Sequence, residues 1–181
     1  MSRLPALQTE AAPGKSKQLL EAVQAKLKIT PNMTRVMANS PAVLEAYLSF
    51  SGALSSGTLG AKLGEQIALE VGEQNSCEYC VSAHTAIGKM TGLSDAEIAA
   101  ARDARSDSAK NGAALQFARA IVAKKGNASD GDVQAVRAAG FTDGEIAEII
   151  AHVALNIFTN YFNTTAGVEV DFPKIALRRS A

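Results

Sequence analysis

The chain has 181 residues, enough for one sizeable core, and 47% of them are hydrophobic, which excludes a disordered protein. It contains 34 alanines, no tryptophan and only 5% aromatic residues, so helices are favoured over a β-sandwich. Lysine plus arginine (18) balances aspartate plus glutamate (18), and this zero net charge lacks the basic excess typical of a nucleic-acid-binding protein.

Residues 1–16 are predicted to form an N-terminal arm that lies outside the core. Pro5, Pro13 and Gly14 fall in this stretch, where they disfavour a continuous helix. Beyond it, apolar residues recur every three or four positions, which is the period of an amphipathic helix. Residues 17–181 are therefore predicted to form a single helical domain.

Four helices are predicted in the first part of this domain. Pro31 and Pro41 suit the first turn of a helix, and Ser40 is a favourable N-cap before Pro41. The glycine- and serine-rich segment 51–57 is predicted to separate the third helix from the fourth. The four predicted helices lie around residues 19–27, 31–39, 41–50 and 59–74.

Five further helices are predicted after residue 75. Ser76 is the expected N-cap of the first, and capping boxes starting at Ser94 and Thr142 mark two of the others. Only the tail around residues 168–172 lacks a helical pattern, so the predicted fold class is all-α. The five predicted helices begin near residues 77, 95, 107, 130 and 143.

The sequence predicts neither a membrane segment nor a secreted protein. No run approaches the roughly 18 consecutive apolar residues that a membrane helix needs, and residues 1–15 contain no apolar signal-peptide core. Two cysteines allow at most one internal disulfide, which is too few for a disulfide-built secreted scaffold. We therefore expect a cytoplasmic protein with no membrane or nucleic-acid partner.

Cys77 and Cys80 form a Cys-x-x-Cys pair at the start of a predicted helix, and His84 follows one turn later. Positions three and four apart share one helix face, with Cβ atoms about 5–6 Å apart, so the three side chains are neighbours. The helix dipole and a nearby imidazole both lower the pKa of a thiol and favour a reactive thiolate. This arrangement indicates thiol–disulfide or peroxide chemistry, in which a sulfenic acid condenses with the second thiol.

The carboxylate that assists His84 is not determined by spacing alone. A histidine that accepts a proton needs a group that sets its tautomer and removes that proton. The candidates on the preceding helix are Glu65, Glu70 and Glu73. Two other interpretations of the cysteine pair stay open: an inert dithiol that fills core space, and a zinc site that combines both cysteines with His84 and Glu65.

The spacing Glu65-x11-Cys77-x2-Cys80-x3-His84 resembles the signature of the alkyl hydroperoxidase D-like (AhpD-like) family, within the carboxymuconolactone decarboxylase superfamily. The resemblance extends to residues 92–98 and to the run 156–163, which is similar to a peroxidase-related branch. Four reactive residue types at fixed offsets make this motif more specific than a lone Cys-x-x-Cys.

The resemblance implies an all-α AhpD-like helical bundle that reduces hydroperoxides without a metal or other cofactor. It implies that Cys80 is the peroxidatic thiolate and that Cys77, expected to be the more exposed, resolves the sulfenic acid. His84 and Glu65 are implied as the proton relay. The implied reductant is a lipoyl-type dithiol or a thioredoxin-like protein, and the implied assembly is a homo-trimer or homo-hexamer.

Two alternative functions fit the same residues: a general disulfide oxidoreductase, and a non-enzymatic oligomer that senses redox state or binds a ligand. The chain also departs from the family pattern, because Tyr79 stands where well-known members have a histidine, and Thr164 replaces a histidine of the peroxidase-related branch.

A polar stripe on the last long helix contains the second histidine of the sequence. It consists of His152, Asn156, Asn160 and Asn163. We interpret His152 as a core or interface histidine, with a role in a substrate pocket or a second relay as the alternative. The asparagines are interpreted as interface or tail-docking residues.

Overall fold

A computed structural model describes residues 2–178 of the chain. These residues contain nine α-helices, one short 3₁₀ turn at Thr9–Ala11 and no strand, which confirms the predicted all-α class. Met1 of the predicted arm and residues 179–181 of the predicted domain lie outside the described residues. The helices are α1 (Gly14–Leu27), α2 (Asn32–Met37), α3 (Pro41–Ser55), α4 (Gly60–Gln74), α5 (Glu78–Met90), α6 (Asp95–Ala101), α7 (Ala109–Ala123), α8 (Asp130–Ala138) and α9 (Asp143–Ala166).

Capping boxes begin α6, α8 and α9. In each box the N-cap hydroxyl accepts from the N3 backbone N–H, and the N3 carboxylate accepts from the N-cap N–H. The boxes at Ser94 and Thr142 confirm the predicted helix starts, and the third pairs Ser129 with Asp132. These starts are encoded locally, because every bond lies within four residues of sequence.

The predicted break at residues 51–57 is wrong for most of its length, because α3 continues to Ser55. The Ser55 hydroxyl donates to the carbonyl oxygen of Gly52 at 2.8 Å, so this last turn also has a side-chain bond. Helix α3 packs against α1, α2 and α9. This tertiary packing outweighs the weak helix propensity of serine and glycine.

The N-terminal segment 2–13 lies against the helices. The backbone N–H of Arg3 donates to the carbonyl oxygen of Ala166 at 2.7 Å, next to the end of α9. Ala12, expected to lie outside the core, is buried in it, and α1 already begins at Gly14. The division of the chain into an arm and one domain stays a prediction.

Two groups of buried apolar residues form the core, and α4 lies beside both. The first joins α4 to α6, α7, α8 and α9 and includes Ile67, Leu115 and Ile149. The second joins α1, α2, α3 and α5 and includes both cysteines. The cysteine pair is thus built into the packing between helices. Within residues 2–178, no helix combines the length and the apolar character needed to cross a membrane.

A buried ion pair connects α4 with the end of α6. Arg102 Nε donates to Glu73 Oε2 at 2.7 Å, and the side chains are only 9% and 1% exposed. The same two residues bind the C-terminal segment 168–178: Arg102 donates to the carbonyl of Ala176 at 2.7 Å, and Glu73 accepts from the backbone N–H of Arg178 at 2.6 Å. This pair therefore fixes the tail to the helices that carry the site.

Candidate active site

Cys77 is the N-cap of α5, and its Sγ accepts from the backbone N–H of Cys80 at 3.3 Å. The predicted N-cap, Ser76, is wrong: this residue has φ of +52° and belongs to the end of α4. The N–H groups of Ser76 and Cys77 donate to the carbonyls of Glu73 and Gly72 at 3.2 and 2.9 Å, the two bonds of a Schellman motif. One tight corner thus ends α4 and presents the cysteine pair.

Cys77 and Cys80 are joined by a disulfide whose Cα atoms are 5.3 Å apart. Gly72 allows α4 to lie close to this disulfide. A Cβ atom at Gly72 would be 3.3 Å from a methyl carbon of Val81 and 3.5 Å from the Cβ of Cys80. The absence of a side chain at Gly72 therefore lets α4 pack closely against the turn that carries both cysteines.

The two cysteines are equally buried, each with 2% of its surface exposed. The expectation that Cys77 is the more exposed is wrong, because its side chain packs in the second core group and not at a free helix end. They differ in another respect: Cys80, unlike Cys77, lines a cavity of about 500 Å³.

This cavity lies between α1, α2, α3, α4, α5 and α9, and most of its wall is apolar. A few polar side chains converge on it, which is the usual composition of a small-molecule site. They include Tyr47, Glu65, His84, His152, Asn156 and Asn163. The cavity therefore places one cysteine sulfur, two imidazoles and a carboxylate around a largely apolar space.

His84 and Glu65 form a hydrogen-bonded pair beside Cys80. Nδ1 of His84 lies 2.8 Å from Oε2 of Glu65, and both side chains are partly buried, 23% and 19% exposed. Because an ionised carboxylate only accepts, Nδ1 carries the hydrogen of this bond and Nε2 is left to accept a proton. The pair thus has the arrangement of a base and the group that orients it.

The structure selects Glu65 among the three candidate glutamates for the histidine. Glu70 is bound by Arg119, whose Nε and Nη2 lie 2.6 and 2.9 Å from its carboxylate oxygens. Glu73 is bound by Arg102, as described above. Both arginines come from other helices, so these two carboxylates hold the fold together and Glu65 faces His84.

Tyr79 occupies the position of the family histidine and is a packing residue. Its hydroxyl accepts from the backbone N–H of Met33 at 3.2 Å, and its ring meets the edge of Phe172 with centroids 5.8 Å apart. Burial, reinforced by the nearby Asp171 carboxylate, raises the pKa of the Tyr79 hydroxyl. Tyr79 therefore does not replace the imidazole as a proton carrier near neutral pH.

His152 lies in the cavity wall, on α9, against the backbone of α4. A Cβ atom added to Gly64 would lie 3.2 Å from Cε1 of His152, so the glycine makes room for the ring. Burial lowers the pKa of His152, against the opposing effect of the Glu148 and Glu65 carboxylates. The imidazole is therefore neutral at pH 7.

The lowered pKa of His152 predicts a pH-dependent contribution to stability. A histidine in the unfolded chain has a pKa of about 6.5. The stability that comes from keeping His152 neutral is therefore complete above that pH, and it is lost as the pH falls towards the lowered pKa of the folded state. We expect the difference in melting temperature between the wild type and His152→Gln to shrink from pH 7.5 to pH 5. A difference that is independent of pH would contradict this expectation.

The three asparagines of the polar stripe have different partners. Asn156 donates to the carbonyl of His152 at 2.8 Å, and Asn160 accepts from Asn75 at 2.9 Å. Asn163 donates to the Sγ of Cys80 at 3.3 Å. The sequence does not reveal this last contact, because Asn163 follows Cys80 by 83 residues and its spacing from the motif has no local meaning.

Part of the chain matches a known protein family. Residues 41–124 match the carboxymuconolactone decarboxylase family, and this range contains the whole Glu-Cys-Cys-His motif. No curated protein matches the sequence.

Solved structures extend the similarity to almost the whole chain. The alkylhydroperoxidase AhpD core of an uncharacterized peroxidase-related protein from Ralstonia eutropha JMP134 is 27% identical, with 94% of this chain and 92% of that chain covered and a TM-score of 0.83. An uncharacterized peroxidase-related protein from Silicibacter sp. TM1040 is 23% identical, with 96% and 90% covered and a TM-score of 0.79. The debrominase Bmp8, in a cysteine-to-alanine variant bound to 2,3,4-tribromopyrrole, is 20% identical, with 93% and 91% covered and a TM-score of 0.80.

The helical fold is similar to that of an AhpD core, and the Glu-Cys-Cys-His motif lies at its cavity. Over residues 41–124, just under half of its length, the chain is similar to the carboxymuconolactone decarboxylase family. The described residues contain no group of three or more histidine, cysteine, aspartate or glutamate side chains arranged to hold a metal ion.

Proposed function

We propose that the protein is a thiol-dependent peroxidase that reduces hydroperoxides through a Cys77/Cys80 dithiol–disulfide cycle. The observation that carries the proposal is the disulfide whose Cys80 lines an apolar cavity together with the hydrogen-bonded His84 and Glu65. The match of residues 41–124 to the carboxymuconolactone decarboxylase family and the likeness to an AhpD-core, peroxidase-related protein support it.

The first half of the cycle consumes the peroxide. His84, oriented by Glu65, accepts the proton of the Cys80 thiol, and the thiolate attacks the terminal oxygen of the hydroperoxide. A sulfur–oxygen bond forms while the oxygen–oxygen bond breaks. The departing alkoxide takes the proton from His84 and leaves as an alcohol, and Cys80 becomes a sulfenic acid.

The second half restores the thiols. The Cys77 thiolate attacks Sγ of the sulfenic acid, the disulfide forms, and the departing hydroxide takes a proton and leaves as water. A dithiol reductant then exchanges with the disulfide and is itself oxidised. Two electrons thus pass from the reductant to the peroxide in each cycle.

The burial of both cysteines bears on the reductant. A lipoyl-type dithiol is small relative to the cavity of about 500 Å³ that Cys80 lines, whereas a thioredoxin-like protein needs the disulfide at the surface. Burial therefore favours the lipoyl-type dithiol as partner and disfavours a general disulfide oxidoreductase. We also propose that the protein is cytoplasmic.

An exposed apolar stripe on α9 supports the proposed homo-oligomer, a trimer or a hexamer. It consists of Ile150, Phe158 and Tyr161, which are 46%, 39% and 59% exposed. Burial of such side chains against a second copy removes apolar area from water, which is the main favourable term in association.

A steady-state assay with cumene hydroperoxide and dihydrolipoamide tests the proposed function. We expect continuous turnover in which one equivalent of lipoamide forms for each peroxide reduced. A redox sensor would be oxidised once and then turn over very slowly, and a disulfide oxidoreductase would reduce protein disulfides faster than peroxide. Either result would overturn the proposal.

The His84–Glu65 pair predicts a large kinetic effect of Glu65→Gln. Loss of the carboxylate charge removes the group that stabilises the imidazolium, and general acid–base assistance is worth about 100-fold to 10,000-fold. We expect kcat/KM for cumene hydroperoxide to fall within that range, with an unchanged melting temperature. Glu78→Gln is the matched control, because Glu78 lies between the motif residues in sequence but is exposed. Equal rates for both variants would contradict the relay.

A further inference from the structure

The amide of Asn163 is bound to two sulfur atoms. Nδ2 lies 3.3 Å from Sγ of Cys80 and 3.3 Å from Sδ of Met33. A disulfide sulfur and a thioether sulfur carry no hydrogen, so only the N–H side of the amide can bond to them. This chemistry fixes the orientation of the amide, with its donors towards Cys80.

The carbonyl side of the same amide has no hydrogen-bond partner among residues 2–178. Oδ1 of Asn163 is buried, and the residue is only 3% exposed. An unsatisfied buried carbonyl destabilises the folded state, and sulfur is a weak acceptor for the N–H groups. Folding stability therefore does not account for an asparagine at this position, where a leucine of similar shape would avoid the cost.

The reduced state of the site explains the presence of an asparagine at position 163 better than folding stability does. When Cys80 is a thiolate, the same N–H donates to a full negative charge, and charge-assisted hydrogen bonds are about twice as strong as neutral ones. The amide thus favours the thiolate over both the neutral thiol and the disulfide. The thiolate is also the form that attacks a peroxide.

We propose that Asn163 is a catalytic residue, whose side-chain N–H donates to the Cys80 thiolate and stabilises the attacking form of the sulfur. This role rests on the proposed peroxidase cycle, and it adds a third group to the His84–Glu65 pair. The amide reaches the sulfur from α9, while the other two groups reach the cavity from α5 and α4. Side chains from three helices thus act on the sulfur of Cys80.

Other titratable groups line the same cavity as Cys80, so the contribution of Asn163 must be measured as a difference. They come from α1, α3, α4, α5 and α9, and one further carboxylate, that of Asp171, lies beside Tyr79. The groups that line the cavity are Lys26, Tyr47, Glu65, Tyr79, His84 and His152. All of them are unchanged when only residue 163 is replaced.

The test measures the ionisation of Cys80 directly. In a Cys77→Ser background Cys80 is the single thiol, and its rate of alkylation by iodoacetamide between pH 4 and pH 10 gives its acid dissociation constant. We expect Asn163→Leu to lower that constant roughly tenfold, the change that corresponds to one charge-assisted hydrogen bond of modest strength. We also expect an equal or higher melting temperature, since the unsatisfied carbonyl is removed.

Asn160→Leu is the matched control. Asn160 lies one turn earlier on α9, is fully buried and accepts from Asn75, so its loss disturbs the same helix without removing the bond to Cys80. An unchanged dissociation constant in Asn163→Leu, or an equal fall in Asn160→Leu, would overturn the proposal. If Asn163→Leu does not fold, Asn163→Ala gives the same reading without a bulky side chain.

The alkylation assay separates this inference from the proposed function. It uses no peroxide, so a protein without peroxidase turnover still shows whether Asn163 stabilises the thiolate. Conversely, an active peroxidase whose Cys80 ionises normally in Asn163→Leu would retain the cycle and lose the assigned role of Asn163.

Discussion

Replacement of Cys80 by serine is expected to lower the rate of hydroperoxide reduction by at least about 1,000-fold, because the attacking nucleophile is lost. A serine hydroxyl at this position stays protonated near neutral pH, and the His84–Glu65 pair cannot turn it into an anion comparable to a thiolate. The side chain changes by one atom, so the fold and the cavity are retained. The measurement is the initial rate with cumene hydroperoxide and dihydrolipoamide.

Cys77→Ser is the informative counterpart, because it removes the resolving thiol and leaves the attacking one. We expect it to consume one equivalent of peroxide per chain and then stop, with a sulfenic acid on Cys80 that dimedone labels. If Cys80→Ser turned over at the wild-type rate, or if the label appeared on Cys77 in the wild type, the assignment of the two sulfurs would be wrong.

Replacement of Glu73 by leucine is expected to destabilise the protein by about 3–5 kcal/mol, the usual cost of leaving one charge of a buried ion pair without its partner. Arg102 would keep its positive charge in a site where both side chains are less than a tenth exposed. The backbone N–H of Arg178 would also lose its acceptor. Urea unfolding followed by circular dichroism measures the loss.

The exposed pair of Lys15 and Glu45 provides the control for this prediction. Its Nζ and Oε1 atoms are 2.8 Å apart, against 2.7 Å for the closest atoms of the buried pair, but its side chains are 50% and 52% exposed. Solvent screens such a pair, so Glu45→Leu is expected to change stability by no more than about 1 kcal/mol. Combining Glu73→Leu with Arg102→Leu is expected to recover part of the loss. Similar losses for Glu73→Leu and Glu45→Leu would show that burial does not govern this interaction.

Local sequence signals predict most helix starts of this fold and fail where the signal is ambiguous. The capping boxes at Ser94 and Thr142 are complete within four residues, so the sequence alone identifies them. Serine is a favourable N-cap residue and is uncommon in the left-handed conformation, so its type predicts the wrong role for Ser76. The two Schellman bonds at the end of α4 place Ser76 there in a left-handed conformation. Helix α3 continues to Ser55 because it packs against other helices. The local glycine and serine content does not predict this packing.

Some contacts of the candidate site follow from local spacing in the sequence, and others join residues that are far apart in it. Cys77, Cys80 and His84 lie on one helix face, and their spacing alone brings them together. The choice of Glu65 requires the arginines that engage the other two glutamates from distant helices. The contact of Asn163 with Cys80 joins residues 83 positions apart, so only the folded structure reveals it.

The central claim is that Cys77 and Cys80 are oxidised together by one peroxide. Anaerobic titration of free thiols, before and after one equivalent of cumene hydroperoxide, tests it most directly. We expect two thiols per chain before the addition and none after it, with the mass of a single chain and one internal disulfide. Retention of both thiols, or their loss through crosslinks between chains, would contradict the account.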